Sequence, residues 1–161
     1  MSEALEGYGA LRKKLLVLSK MADIVEDEVA PQICQVMRKT AVRRLSQPSG
    51  LKNKPAVDTG TLRNSIQGKG AEFVLRTSET TVECGIQTAV EYAPFIEYGT
   101  GPLGDPEVAH TQKMTWAYVG TDGKVHIARS QPARPFMRPA LYENRQIFKD
   151  IVSGKIRELF D

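Results

Sequence analysis

The sequence is poor in the residues that most often carry catalysis or a disulfide framework. Its 161 residues include two cysteines, two histidines and one tryptophan. Cys34 and Cys84 are too few and too isolated for the disulfide framework of a small secreted domain, and each lies among apolar neighbours. We therefore predict two buried free thiols. No apolar run approaches the roughly 20 residues that a bilayer-spanning helix needs.

The first residues of the sequence also do not predict a secretory signal. The apolar segment at residues 11–18 is short, contains three basic residues and is not followed by a small-residue cleavage site. We expect the chain to be made and kept in the cytosol. Its length fits one domain, residues 1–161, in which residues 1–20 form a peripheral N-terminal helix and residues 49–57 a flexible loop.

The charge balance gives little support for nucleic-acid binding. The net charge is +3 and the isoelectric point is near 8.9, whereas a nucleic-acid-binding protein usually concentrates its Lys and Arg on one face. The short basic runs at residues 12–14, 38–39 and 43–44 are dispersed around predicted helices that also carry Glu and Asp. They form either a solvated face or a surface that matches the charge of a partner subunit.

The patterns typical of enzymes are missing. His110 and His126 have no metal ligand at a usual spacing, and Cys84 has no nearby base in the sequence. Residues 99–104 (GTGPLG) imitate a dinucleotide-binding loop, but they follow a short helix and Pro102 removes an amide donor. We expect a protein without catalytic residues, cofactor or metal.

Hydrophobic periodicity predicts an α+β fold. Residues 4–47 have a helical pattern, which Pro31 should kink or break. Residues 60–64 form a short helical turn capped by Asp58 or Thr59, with Leu62 and Ile66 pointing inward. The last helix begins at Pro139.

Alternation with a period of two predicts two hairpins, at residues 72–86 and 114–127. In the first hairpin, Phe73 and Leu75 alternate with mostly polar positions, and so do Val82, Cys84 and Ile86, which predicts an antiparallel pair with one buried face formed by these residues. Gly68 and Gly70 indicate a bulge or bend in its first strand. A short helix ending at Tyr98 and a long loop connect the hairpins. Together they predict an antiparallel sheet of about four strands, packed by the N-terminal and C-terminal helices.

Three segments at predicted element boundaries combine turn residues, aromatics and single charges. They are the first block, residues 58–66 (DTGTLRNSI), the second block, residues 92–101 (YAPFIEYGTG), and the third block, residues 132–141 (PARPFMRPAL). In this order they resemble the D-T-G-x-L-x-x-S-I, Y-A-x-x-v-E-y-G-T and P-F-x-x-P-A-L patterns of the tail-component and neck protein family of long-tailed bacteriophages. The resemblance covers most of residues 20–160.

This resemblance implies a virion structural protein that is assembled in the host cytoplasm. It would form a homo-oligomeric ring, six- or twelve-fold, at the head–tail junction. Its partners would be the connector or head-completion protein and the tail tube or tail terminator protein, and genomic DNA would pass through without sequence-specific binding. Residues 114–129 and the loop before them are more elaborate than in compact members, so the neighbour they contact is left open.

Two alternatives accompany this hypothesis. One is a tail terminator that caps the tail tube. The other is a small nucleic-acid-binding module, supported by the isoelectric point and by Lys52 and Lys54. The block residues have two possible roles as well, contact with a neighbouring subunit or stabilisation of the subunit itself, for example through a pair of Glu97 with Arg63 or Arg138. The residues concerned are Asp58, Gly60, Arg63, Glu97, Tyr98, Gly99, Arg134, Phe136 and Arg138, together with Trp116 outside the blocks.

Overall fold

A computed structural model describes residues 2–47, 60–120 and 122–160, with the side chains of residue 9 and of residues from 11 onward. The predicted loop at residues 49–57 and the predicted caps Asp58 and Thr59 lie outside these ranges. Seven α-helices and four strands occur in the described ranges. The helices are α1 (Ser2–Ser19), α2 (Met21–Ile24), α3 (Ala30–Ser46), α4 (Thr61–Gln67), α5 (Ala93–Glu97), α6 (Met137–Tyr142) and α7 (Arg145–Phe160), and the strands are β1 (Glu72–Ser78), β2 (Thr81–Ile86), β3 (Thr115–Val119) and β4 (Val125–Arg129).

The N-terminal helical region is interrupted twice. Lys20 leaves the helical conformation between α1 and α2, with φ −105° and ψ 4°. A π-helical turn at Val25–Val29 then precedes α3, whose first turn contains Pro31. Proline lacks an N–H and its ring clashes with the carbonyl one turn earlier, so a widened turn accommodates it. The interruption predicted near Pro31 is therefore present, and the break at Lys20 is an addition to it.

Helix α4 confirms the inward pair of the first block. Gly60 occupies the N-cap position with φ +73°, and its carbonyl accepts the N–H of Asn64 at 2.8 Å. Leu62 and Ile66 are one helical turn apart and fully buried. Both then pack on α3, so this short helix is held by burial of one face.

The predicted four-stranded sheet is wrong. β1 and β2 form one two-stranded antiparallel sheet, and β3 and β4 form another. The base of the second hairpin is extended by an isolated bridge between Thr100 and Gln131, so it pairs with the chain after α5 and not with the first hairpin. Alternation and turn residues specify each hairpin locally, whereas pairing between hairpins depends on the path of the connecting chain. The class remains α+β.

The first hairpin packs on α3 by a face that differs in part from the predicted pattern. Val74 lies opposite Cys84 and both are half-buried toward α3, whereas Phe73 and Leu75 are exposed on the other face. Gly70 precedes the strand, with φ +90°, and the irregularity in the register lies near Ser78. The apolar residues of β1 therefore occupy both faces, and alternation alone does not identify the buried one.

The predicted single C-terminal helix is two helices. α6 and α7 are separated at Glu143 and Asn144. The buried Asn144 amide donates from Nδ2 to Thr40 Oγ1 at 3.0 Å and to the Ala140 carbonyl at 2.8 Å. The Asn144 side chain thus binds a carbonyl in the last turn of α6 and a side chain of α3. These two hydrogen bonds explain the break between α6 and α7.

Candidate functional site

Glu97 is the central residue of the three-block region. Its carboxylate is at the end of α5, and the residue is only 5% exposed. Oε2 accepts the N–H groups of Phe136 at 2.7 Å and Met137 at 2.9 Å, and Oε1 accepts the N–H of Arg138 at 3.0 Å. The first amides of a helix have no acceptor within it and attract negative charge. Glu97 of the second block thus caps α6 of the third block.

The Arg138 side chain completes this junction. Its Nε donates to Glu97 Oε1 at 3.2 Å and its Nη2 to Asp105 Oδ2 at 2.7 Å, while the guanidinium lies 4.8 Å above the ring centre of Tyr98. The pKa of Asp105 is held below its ordinary value, first by the N–H of Glu107 and then by Arg138. The pKa of Arg138 is raised, chiefly by Asp105.

These contacts distinguish between Arg63 and Arg138, the two predicted partners of Glu97. The structure pairs Glu97 with Arg138 of the same chain. Arg63 is exposed on α4, and its guanidinium lies 3.7 Å from the point where a Cβ on Gly60 would be. In this structure Glu97, Arg138 and Tyr98 therefore stabilise the fold of the chain itself.

Backbone contacts also join the second block to the third block and to Gln131, the residue before it. Thr100 and Gln131 exchange N–H···O bonds of 2.8 and 3.0 Å, and the Arg134 N–H donates to the Ile96 carbonyl at 2.9 Å. Gly99 has φ +71°, and a Cβ there would lie 2.6 Å from the Gln131 carbonyl oxygen. A side chain at this position would meet backbone, so close approach of the two blocks requires glycine.

All three blocks contribute to one buried core. Leu62 and Ile66 come from the first block, Ala93 from the second, and Phe136 and Ala140 from the third. Ala41 and Leu45 of α3 and Ile86 of β2 complete the cluster. Segments 26 or more residues apart in the sequence thus fold into a single unit around α3.

The remaining predicted site residues lie at the edge of this unit or beyond it. Arg134 is half-buried, and its Nη2 donates to Gln131 Oε1 at 3.4 Å. Trp116 is half-buried on β3 opposite Ala128. Asp58 lies outside the described residues. Asp105 was not predicted as a site residue, although a carboxylate in a loop otherwise rich in Gly and Pro was a detectable signal.

A cleft of about 480 Å³ opens beside the Glu97 junction. Its lining is mostly apolar and comes from the chain between β2 and α5, from α5 itself and from the start of α6. Glu97 and Arg138, its charged residues at the junction, already bind each other. A ligand in the cleft would have to compete with the Glu97–Arg138 pair. The residues of the cleft therefore serve packing within the chain.

The two cysteines are free, as predicted, but only Cys34 is buried and Cys84 is half-buried. Cys34 on α3 is buried, and burial together with the neighbouring Cys84 raises the pKa of its thiol to about 11. Burial also raises the pKa of Cys84. Both thiols are therefore neutral at physiological pH, which disfavours their use as nucleophiles.

Large apolar side chains remain exposed outside this core. On one face of the second hairpin, Val119, Val125 and Ile127 are 68%, 71% and 76% exposed. Exposed leucines of α1 add a second apolar surface. In the ranges that the structure describes, no helix is long and apolar enough to cross a membrane and no group of three metal-ligating side chains is found.

Comparisons with known protein families, with curated proteins and with solved structures found no match to this chain.

Proposed function

We propose that this chain is a virion structural subunit that forms an oligomeric ring at the head–tail junction of a long-tailed bacteriophage, linking the connector to the tail. One observation carries the proposal: the three blocks that resemble the neck and tail-component family meet in one core, where Glu97 of the second block caps the helix begun by the third. Segments that share a family pattern are expected to depend on each other in the fold, as these do.

The contacts of the blocks assign them a scaffolding role in this proposal. Their charged and glycine residues are used within the subunit, at Glu97, Arg138 and Gly99. Contacts with other subunits then fall to surfaces outside the blocks. The exposed apolar face of the second hairpin is such a surface, because an isolated two-stranded hairpin is marginally stable in water and contiguous exposed apolar patches mark interaction sites.

Ion pairs weaken the nucleic-acid alternative for four described arginines, whereas Lys52 and Lys54, which supported it, lie outside the described residues. Arg38 binds Glu72 at 3.1 Å, Arg43 and Arg44 bind Glu143, and Arg76 binds Asp23 and Glu26. These cations are neutralised by carboxylates of the same chain, whereas counterion release from nucleic acid requires cations free to meet phosphates.

The test of this proposal is the composition and form of virions. Mass spectrometry of purified particles should detect the chain, and a null mutant should produce filled heads and normal tails that fail to join. Tails of abnormal length would favour the tail-terminator role instead. Absence of the chain from purified virions, with normal particles in the null mutant, would refute a structural role.

A further inference from the structure

Helix α1 carries an exposed apolar stripe between two cations. Leu11, Leu15 and Leu18 recur at intervals of four and three residues and therefore lie on one face. They are 57%, 57% and 55% exposed. At 100° per residue, Arg12 and Lys14 fall on opposite sides of this stripe. We call the three leucines and these two cations the α1 stripe.

The first hairpin exposes an apolar face bordered by carboxylates. Phe73 and Leu75 are 37% and 56% exposed on the side of β1 that faces away from α3. Glu83 pairs with Leu75 in the register and Glu79 lies at the hairpin turn, and both are exposed. The Phe73 ring lies 3.0 Å from the point where a Cβ on Gly85 would be, so it covers that part of the sheet. We call this surface the outer face of the first hairpin.

The two surfaces match in polarity and charge. Leucines would meet Phe73 and Leu75, and the Arg12 and Lys14 cations would meet the Glu79 and Glu83 carboxylates. The leucines of the α1 stripe extend over about 11 Å at 1.5 Å per residue, which is enough to cover Phe73 and Leu75, about 7 Å apart at 3.3 Å per residue. We propose that the α1 stripe of one copy docks on the outer face of the first hairpin of a second copy.

The path of the chain favours a second copy as the occupant. The segment that follows α1 approaches the first hairpin from the inner face, where Arg76 pairs with Asp23 at 2.6 Å and with Glu26 at 2.7 Å. The outer face points away from these contacts. A contact between two different patches is heterologous, repeats from copy to copy and closes into a ring when the rotation permits. The choice of a second copy rests on the proposed function.

Two charge-reversed variants test this contact. The acidic-helix variant carries Arg12→Glu and Lys14→Glu, and the basic-sheet variant carries Glu79→Lys and Glu83→Lys. Each alone places like charges together, so the self-association constant measured by sedimentation velocity should fall by about tenfold or more. Two control variants reverse exposed charges elsewhere and match these changes in net charge: Lys113→Glu with Lys149→Glu for the acidic-helix variant, and Glu91→Lys with Glu107→Lys for the basic-sheet variant. Both should leave self-association unchanged.

Mixing the two variants gives the decisive measurement. In an equimolar mixture each acidic helix can bind a basic sheet, and each unmodified helix can bind an unmodified sheet of the other variant. Self-association should return to the wild-type level, with native mass spectrometry detecting assemblies that contain both variants. If self-association is restored only when all four substitutions are in one chain, the α1 stripe contacts the first hairpin of its own copy, and the proposal is overturned. A mixture that stays dissociated would overturn it as well, as would a wild-type chain that is monomeric at all concentrations.

Thermal unfolding of each variant verifies that the monomer is folded. If a charge reversal lowers the melting temperature, Leu15→Ser tests the same contact from the apolar side and should also weaken self-association. The outcome is independent of the virion test. If the chain is present in virions but mixing the variants does not restore self-association, only the proposed contact is refuted. If mixing restores self-association but the chain is absent from virions, only the proposed location is refuted.

Discussion

Glu97 and Arg138 are joined through both backbone and side chain across 41 residues of sequence. Glu97 Oε1 accepts the Arg138 N–H at 3.0 Å and its Nε at 3.2 Å. One carboxylate oxygen thus receives the helix amide and the guanidinium of the same residue. The conformation of the third block is thereby coupled to the end of α5, and the expected effects of substitution follow from this coupling.

Glu97→Gln should destabilise the subunit by about 2–4 kcal/mol. In the wild type both carboxylate oxygens accept N–H groups of α6. Glutamine keeps only one acceptor oxygen, and its NH₂ group would face N–H donors that lose their acceptor. Urea unfolding of the isolated chain measures the change in the free energy of unfolding. The exposed Glu107→Gln is the matched control, and equal stability of both variants would show that the Glu97 contacts contribute nothing.

Arg138→Ala should lower the melting temperature of the isolated monomer. The substitution removes the partner of Asp105 and the cation above the Tyr98 ring, and it leaves the Glu97 carboxylate with only backbone donors. Circular dichroism at a concentration where the wild type is monomeric measures this effect. A monomer that melts like the wild type but fails to assemble would assign Arg138 to a subunit interface instead.

Gly99→Val should destabilise the fold more than Gly60→Val. Both glycines have positive φ, which alone costs a side chain roughly 1–2 kcal/mol. A Cβ at Gly99 would also lie 2.6 Å from backbone atoms of Gln131 and Ala133, whereas at Gly60 the nearest atom is 3.7 Å away. Chemical unfolding of the two variants gives the comparison. Wild-type stability of both would show that these turn assignments are wrong.

Asp105 should make the stability of the fold fall in acid. Its folded pKa lies below the ordinary value of 3.8 because the Glu107 N–H and Arg138 favour the carboxylate. A lowered folded pKa stabilises the fold above the unfolded pKa, and this contribution is lost as the pH falls through the folded value. Asp105→Asn should therefore flatten the decline of stability between about pH 5 and pH 2. An unchanged slope in acid titrations of unfolding would contradict the pairing.

Cys34 should make the fold sensitive to alkaline pH. The pKa of its thiol is raised from 9.0 to about 11, so the folded state favours the neutral thiol. A raised folded pKa contributes stability below the unfolded pKa, and this contribution is lost as the pH rises toward the folded value. Cys34→Ala should lack this loss between about pH 9 and pH 11, although the smaller side chain lowers stability overall. A parallel decline in both proteins would place the alkaline transition elsewhere.

Local patterns were sufficient for much of the fold. The inward pair Leu62 and Ile66, the turn after α5 at Gly99 and both hairpins were predicted because each depends on residues a few positions apart. Periodicity, proline and glycine act over that range. The free state of the two cysteines was predicted on the same basis, from their number and apolar neighbours.

The amino-acid order thus determined the elements and the three blocks, and the tertiary structure decided how they are joined. It separated the expected single sheet into two hairpins, turned Phe73 and Leu75 outward and divided the last helix at Asn144. It also selected Arg138 over Arg63 as the partner of Glu97. These outcomes depend on contacts between segments far apart in sequence. A pattern over a few neighbouring residues carries no information about the energies of such contacts. Burial around α3 and the satisfaction of buried amides are the physical reasons for the arrangement that results.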